Sequence, residues 1–586
     1  MLRLELDTVL ALPVRRPGLV LAPLVTLALL ALWSLAGLEK DTRSDAFMAP
    51  DNPALLYQKV VEERFGLSDP LLIALVATGD EVIYRSGVLT AVNELTERVK
   101  VLPNVDREQV VSLATETLIT GNEFGIEVQP ALDPLPENAA EVAALRLKLE
   151  DYPPLQGHLV APGGEATLIV VRLIDESRSE ELYQAIMTLL ANYEMPVGVV
   201  AHVAGEGAVS GYLGAYIDAD ARLLNPLAGV IILTMIAIAF RRIAPAILAL
   251  VILSSLAIAL GGMVTLGIKF YVITNALPVI LIGISVADTI HICSHYFHLQ
   301  SISPGRSRED LVLETMRDMW VPVGVTTLTT AAGFLGLYFA ADMPPFKYFG
   351  LFAALGVVAA WLYSMMALPA LMIIGRLQVH QSFIDRQRTG GADWLDAPMR
   401  GIRLLVQSRS RLLILVFGLM TACGAWWGSQ LVVDDDRIRL FHPDEAIVQA
   451  DRAINRYLNG TNTLDVVIET AEPEGMFDPV VLRKVEALQT YAESLPHLTG
   501  SSSIVDYLKQ MNRVLNENDP AAYVLPDSRE LVAQYFLLYS LSSDPMDFEQ
   551  QIDYDYRTAN VRLVLNHGGY LQIAPVVEKL EEWLQR

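Results

Sequence analysis

Cysteine is almost missing from this chain: there are two, Cys293 and Cys423, in 586 residues. Both fall inside apolar runs, so the polar segments can hold no disulfide, and no cysteine cluster exists to bind a metal. Basic charge is scarce as well, with 43 Lys and Arg against 67 Asp and Glu and a net charge of −24. Such a balance excludes a nucleic-acid partner, because phosphate binding draws on clustered Lys and Arg. The acidic excess lies in the polar segments, where it solvates their surface. The sequence shows no nucleophile triad and no phosphate-cradling glycine loop, so an enzyme is not expected. The first apolar run is not followed by a small-residue cleavage site, and it reads as a retained signal anchor.

Long hydrophobic runs are what the chain has in abundance. Crossing a bilayer core takes about 20 helical residues. Seven stretches meet that length, near 17–38, 222–240, 243–266, 271–294, 320–341, 346–375 and 411–432. Arginine sets their orientation. Arg15 and Arg16 precede span one, Arg241 and Arg242 join spans two and three, and Arg306, Arg308 and Arg317 lie between spans four and five. Arg376, Arg386, Arg388, Arg400, Arg403 and Arg409 lie between spans six and seven. With seven spans these segments all fall on one side, which the positive-inside rule makes cytoplasmic. The predicted divisions are a cytoplasmic N-terminus (1–16), span one (17–38), a first outer domain (39–221) and a bundle of spans two to six (222–375). A linker (376–410), span seven (411–432) and a second outer domain (433–586) follow. Residues 1–16 read either as a short interfacial helix or as an unstructured lead.

The two outer domains are related. "LWSLAGLEKDTRSDAFMAPD" (32–51) parallels "WWGSQLVVDDDRIRLFHPD" (426–444), and Gly66 matches Gly460 at the same offset of 394 residues. An offset kept over some 70 residues marks a duplication of span one with its outer domain. In the first copy "PLLIALV", "ATLIVVRLI" and "VGVVAHVAG" read as strands. "GVLTAVNELTERVKVL" and "SEELYQAIMTLLANY" read as amphipathic helices, and the polar stretch near 120–160 as a linker or flap. Strands alternating with helices suggest ferredoxin-like α+β subdomains. The second copy stops before its last strand and has no counterpart of spans two to six, so the chain reads as part of a longer, twelve-span design.

Within span four, "GISVADTIHICSHYFH" (283–298) places Asp288, His291, His295 and His298 in an apolar segment. At about 100° per residue these four fall within an arc of roughly 80°, a single stripe rising about 15 Å. Ser285 borders it. A carboxylate at mid-membrane costs about 2.5–3.5 kcal/mol on insertion scales, so it marks a functional site by default. Two chemistries compete for the stripe: proton transfer, and metal ligation by Asp288, His291 and His295 at i, i+3 and i+7. The remaining histidines are scattered singly, which disfavours a metal.

With the repeat and the stripe both in view, the chain resembles the resistance–nodulation–division (RND) superfamily, in its MMPL-type branch of hydrophobe and amphiphile exporters. It is similar also to the sterol-sensing proteins. The resemblance rests on "FRRIAPAILAL", "ITNALPVILIGISVADTIHI", "VPVGVTTLTTAAGFLGLYFA" and "FKYFGLFAALGVVAAWLYSMMALPALM", with the repeated "DAFMAPD"-type segment. It implies an α-helical membrane bundle with two extracytoplasmic α+β porter domains, in a bacterial inner membrane. It implies proton-driven export of lipid-like or other amphiphilic molecules through the porter domains, without a cofactor. The expected partners are that substrate, membrane lipids and protons. The family's fourth span works against a tenth, so a second polypeptide or a second copy of the chain is expected to complete the bundle. Asp288, His291 and His295 are the expected proton relay, with Ser285, Thr326, Thr329 and Thr330 as supporting neighbours. The alternative is a lipid-binding or sensing protein without turnover.

Overall fold

The apolar runs fold as long helices, and the alternating segments fold as two small antiparallel sheets. The structure, a computed structural model, describes residues 2–79, 82–122, 125–240, 245–303, 305–375 and 396–585. Arg241, Arg242, Arg376, Arg386 and Arg388, and most of the linker expected at 376–410, lie outside these residues. Contacts divide the chain into two compact units. The first takes the N-terminal residues to Asp41, Ala46–Ala49 and Tyr216–Val433; the second takes Thr42–Asp45, Pro50–Ala215 and the residues from Asp434 onward.

The chain opens with two helices of the first unit, α1 (Leu2–Arg15) and α2 (Pro17–Ser34). Helix α1 buries Leu10, Ala11 and Val14. Leu10 and Val14 stand four apart, so one face packs inward. On the same face, one turn before Leu10, Asp7 accepts a hydrogen bond from Arg317 Nε at 2.7 Å. Of the two readings of residues 1–16, the ordered helix is the one observed. A two-residue strand β1 (Lys40–Asp41) follows α2.

The second unit begins with α3 (Pro53–Phe65), whose first turn is capped by Asn52 and which ends at Gly66 with φ +59°. That left-handed conformation suits glycine, which has no Cβ to clash. Strand β2 (Leu71–Ala77) is buried along its whole length. Helix α4 (Ser86–Lys100) leads to a hairpin of β3 (Thr117–Asn122) and β4 (Gly125–Pro130), then to α5 (Ala139–Glu150). The polar stretch expected to be a linker or flap is therefore structured. Its helix buries Val142, Leu145 and Leu149 at spacings of three and four, which makes one apolar face. Then come β5 (Ala166–Val171), α6 (Ser179–Ala191) and β6 (Val199–Ala204). The sheet order is β5-β2-β6, all neighbours antiparallel. Val105 and Val111 add isolated bridges to Leu173 and Val170 near the other edge of β5.

Helix α7 (Glu206–Phe240) starts in the second unit and continues into the first. Next come α8 (Pro245–Thr265), β7 (Phe270–Tyr271), α9 (Leu277–Ile302) and α10 (Arg308–Ala340). Helix α11 (Pro344–Leu362) continues through a π-turn at Tyr363–Ala367 into α12 (Leu368–Ile374). Strand β7 pairs in parallel with β1. Small residues let these helices meet closely: a Cβ on Gly261 of α8 would come within 2.5 Å of the Ala31 carbonyl of α2. The helix Asp396–Gly428 completes the unit and carries apolar side chains exposed on every face. Among the described residues five helices are long and apolar enough to cross a membrane: Pro17–Gly37, Val272–Ile302, Arg308–Ala340, Pro344–Ile374 and Pro398–Gly428. A shorter apolar stretch covers Leu250–Thr265 of α8. Both cysteines are free, Cys293 buried and Cys423 exposed.

The rest of the second unit repeats the pattern of its first part. The helix Ala446–Tyr457, Gly460 with φ +154° and β8 (Asn462–Glu469) follow the order of α3, Gly66 and β2. The helix Pro479–Glu493, β9 (Leu498–Ser502) and β10 (Thr558–Leu565) come later, in the order β8-β10-β9. Strand β8 pairs antiparallel with β10 as β2 pairs with β5. Among the described residues β8 has no neighbour in the place that β6 takes beside β2. Arg437 joins the two parts of the unit through Glu206 and, at 2.7 Å, the carbonyl of Thr42.

Candidate functional site

Helix α9 has Pro278 in its first turn, where a missing N–H costs nothing, and it runs unbroken through the polar stripe. Asp288 is only 6% exposed, and its Oδ2 has no hydrogen-bond partner among the described residues. One turn before it, Ser285 is fully buried and its hydroxyl lies 2.8 Å from that of Ser255 on α8. Thr289 Oγ1 donates to the Ser285 carbonyl at 2.5 Å. A polar belt thus runs around Asp288 without bonding to its free oxygen.

Of the three histidines only His291, three residues on, lies close enough to Asp288 to act on its charge. His291 and His298 are exposed on the unit, and His295 is partly buried. His295 Nε2 lies 3.0 Å from Asp318 Oδ2 of α10, a partner that the spacing of span four could not reveal. Thr326, Thr329 and Thr330 use their hydroxyls within their own helix. Thr326 donates to the Val323 carbonyl at 2.8 Å, Thr329 to that of Thr326 at 2.9 Å, and Thr330 also to that of Thr326 at 2.8 Å. The buried member of "TTLTT" is Thr327, whose Oγ1 has no hydrogen-bond partner among the described residues. Ser364, in the π-turn after α11, is fully buried and its hydroxyl likewise has no partner among the described residues.

By residue count Asp288, Thr327 and Ser364 come at similar levels along their helices. His295 and Asp318 fix the register of the antiparallel pair α9 and α10. Asp288 lies seven residues back along α9 and Thr327 nine residues on along α10, so their levels differ by about 3 Å at 1.5 Å per residue. Helix α11 is registered against α9 where a Cβ on Gly356 would meet the Leu281 side chain at 2.5 Å. Counting on from there puts Ser364 within about 2 Å of the level of Asp288. A π-turn offsets the side chains around it and is frequent at functional sites. Neither Thr327 nor Ser364 carried a sequence signal beyond being a hydroxyl in an apolar run. Among the described residues, no group of three or more His, Cys, Asp or Glu is placed to hold a metal ion.

The sequence model of the MMPL family matches residues 57–427, from α3 to the end of the helix Asp396–Gly428. The chain belongs to the MMPL family. MMPL-type proteins are membrane transporters of the RND superfamily that handle lipid-like substrates, so this MMPL chain is a multi-pass membrane protein of a transport family. No curated protein matches the sequence.

Proposed function

We propose that this chain works in proton-motive-force-driven export of a hydrophobic or amphiphilic molecule from a bacterial inner membrane, with Asp288 as the proton-carrying group. The observation that carries the proposal is the buried Asp288 Oδ2 on a membrane helix, which has no hydrogen-bond partner among the described residues, as is true of the buried hydroxyls of Thr327 and Ser364. A charged carboxylate there costs about 2.5–3.5 kcal/mol, whereas a protonated one is tolerated, so proton exchange becomes coupled to what surrounds the helix. One charge moved through the membrane field is worth about 2.3 kcal/mol per 100 mV, enough to bias a choice between two helix packings. His291 and His295 extend the path along α9 toward the end that carries Arg306, Arg308 and Arg317, which is the cytoplasmic side in the seven-span reading. The second unit then holds the ferredoxin-like porter subdomains, outside the membrane.

The test is proton uptake and substrate export in proteoliposomes under an imposed gradient. Asp288→Asn should reduce both to background while the protein still folds and inserts. Unchanged uptake would overturn the assignment. Collapse of the gradient should stop export, whereas a lipid sensor would continue to bind lipid.

A further inference from the structure

The two halves of the second unit differ at one place. In the first half β6 lies beside β2, and the helix Ala446–Tyr457 packs on β6 and buries Ile447, Val448, Ala450 and Ile454. In the second half β8 has no neighbour on that side among the described residues, and the helix in the matching position is α3. At the offset of 394 residues Leu56 and Val60 of α3 correspond to Ala450 and Ile454. Leu56, Tyr57 and Val60 share one face of α3, and each is about half exposed. Arg64 in the last turn of α3 donates to Thr558 Oγ1 at 3.2 Å, and Thr558 stands opposite Glu469 of β8, so α3 ends where β8 ends.

The hydrogen bonds decide which groups of β8 are free. Thr470 N–H donates to the Arg557 carbonyl at 2.9 Å, one step beyond the pairing of Glu469 with Thr558. Backbone groups alternate in direction along a strand, so Asn462, Leu464, Val466 and Ile468 bond to β10. The N–H and C=O groups of Thr463, Asp465, Val467 and Glu469 point away from β10, and none has a described partner. These four residues are exposed or half-buried, whereas β2, the counterpart of β8, is buried throughout. Sheet edges are commonly blunted by a bulge, a proline or a charge. The register of β8 with β10 runs unbroken from Asn462 to Glu469, without a bulge or a proline. Its one mid-strand charge, Asp465, is held by Arg562 across the strand pair at 2.9 and 3.1 Å.

We propose that the open edge of β8 and the exposed face of α3 form one docking surface for an extended strand of a partner polypeptide. The strand adds antiparallel to β8, as β6 does to β2, and takes up the four free N–H and C=O pairs. Its side chains cover Leu56, Tyr57 and Val60. Strand β6 shows the chemistry required: mostly Val and Ala, with a glycine at the end. That glycine, Gly205, has φ +90°, and a Cβ on it would lie 2.7 Å from the Pro70 carbonyl. It is followed at once by α7, which runs on into the first unit, so the partner's strand leads into a membrane helix of its own. A second copy of this chain can offer β6 only by uncovering its own β2, so the partner is a different polypeptide. The docking needs neither Asp288 nor a proton gradient.

The test uses the full chain in a non-ionic detergent and a fluorescent synthetic peptide of the β6 sequence, "VGVVAHVAG" (197–205). Fluorescence anisotropy should show saturable binding, and amide hydrogen exchange over 463–469 should slow when the peptide is bound. Val467→Pro removes one outward N–H and leaves the bonds between β8 and β10 in place, since proline is tolerated where the N–H faces solvent. It should weaken binding about tenfold or more, the size of one lost hydrogen bond, with thermal stability nearly unchanged. Val60→Asp should weaken binding several-fold. No binding, binding without slowed exchange, or binding unchanged in Val467→Pro overturns the added strand. Binding unchanged in Val60→Asp overturns the part given to α3. A dimer of the chain alone whose 463–469 amides are already protected, and which Val467→Pro dissociates, overturns the partner in favour of a second copy. Should Val467→Pro not fold, the exchange over 463–469 in the unaltered chain still decides.

Discussion

His295 Nε2 and Asp318 Oδ2 stand 3.0 Å apart and join α9 to α10 near the ends of both spans. Asp318 is 49% exposed at its side chain, so solvent screens the pair and its contribution to stability is about 0.5–1 kcal/mol. A double-mutant cycle with His295→Gln and Asp318→Asn, read by thermal unfolding in detergent, should return a coupling of that size. A coupling above about 2 kcal/mol would mean that the pair is shielded from water in the folded protein.

Thr327 and Thr329 separate a buried hydroxyl from an ordinary one. Thr327→Val removes a hydroxyl that bonds nothing described, so thermal stability should hold or rise by up to about 1 kcal/mol. Proton uptake should fall several-fold if this hydroxyl borders the Asp288 path. Thr329→Val should change neither, since that hydroxyl only bonds its own helix. Equal uptake in the two variants would remove Thr327 from the site.

Gly350 and Gly333 make a similar contrast in packing. A Cβ on Gly350 would lie 2.5 Å from the Phe334 carbonyl oxygen and 2.9 Å from the Tyr338 nitrogen, both backbone atoms that cannot turn aside. Gly350→Ala should therefore cost about 1–3 kcal/mol by forcing α10 and α11 apart. Nothing lies within 4 Å of a Cβ on Gly333, and Gly333→Ala should stay within about 1 kcal/mol of the parent. Both are read from the apparent Tm in detergent.

Two carboxyls of the second unit make its stability depend on pH. Burial, then the charge of Asp547, push Glu116 up to about 7 against the hydrogen bond from Tyr507. Burial and the charges of Glu206, Glu176 and Glu62 push Asp69 up to about 8. Between the ordinary carboxylate value and these raised ones, the folded chain holds protons that the unfolded chain has lost. Stability therefore falls as pH rises from about 4.5 to about 8 and levels off above it. Glu116→Gln, which mimics the protonated acid, should raise Tm relative to the parent at about pH 8 and leave it nearly unchanged at about pH 5. A parallel shift at both pH values would mean that Glu116 is ionised throughout.

The helices α9, α10 and α11 were legible because a membrane crossing demands a minimum apolar length and little else resembles it. The strands β2, β5 and β6 and the helices α4 and α6 were legible from their periods. The hairpin at 117–130 was not, because Gly121, Asn122 and Pro130 break its alternation. Asp288 stood out as a charge in an apolar run. Its neighbours did not, since every face of a membrane helix is apolar and no amphipathic contrast tells which face turns inward. Thr326, Thr329 and Thr330 were chosen by residue type, and Thr327 is the buried one because of where α10 packs. Asp318 and Ser364 lie on other helices, and nothing in the spacing of span four points to them.

The π-turn at Tyr363–Ala367 holds one residue more than an α-helix would need to cover the same rise. Removing a single residue there would close the turn into regular helix and, with the packing of α11 kept, rotate α12 by about 100° about the axis. In an alignment of related chains, a one-residue gap at this point inside a membrane helix would mark sequences in which α12 turns a different face to its neighbours.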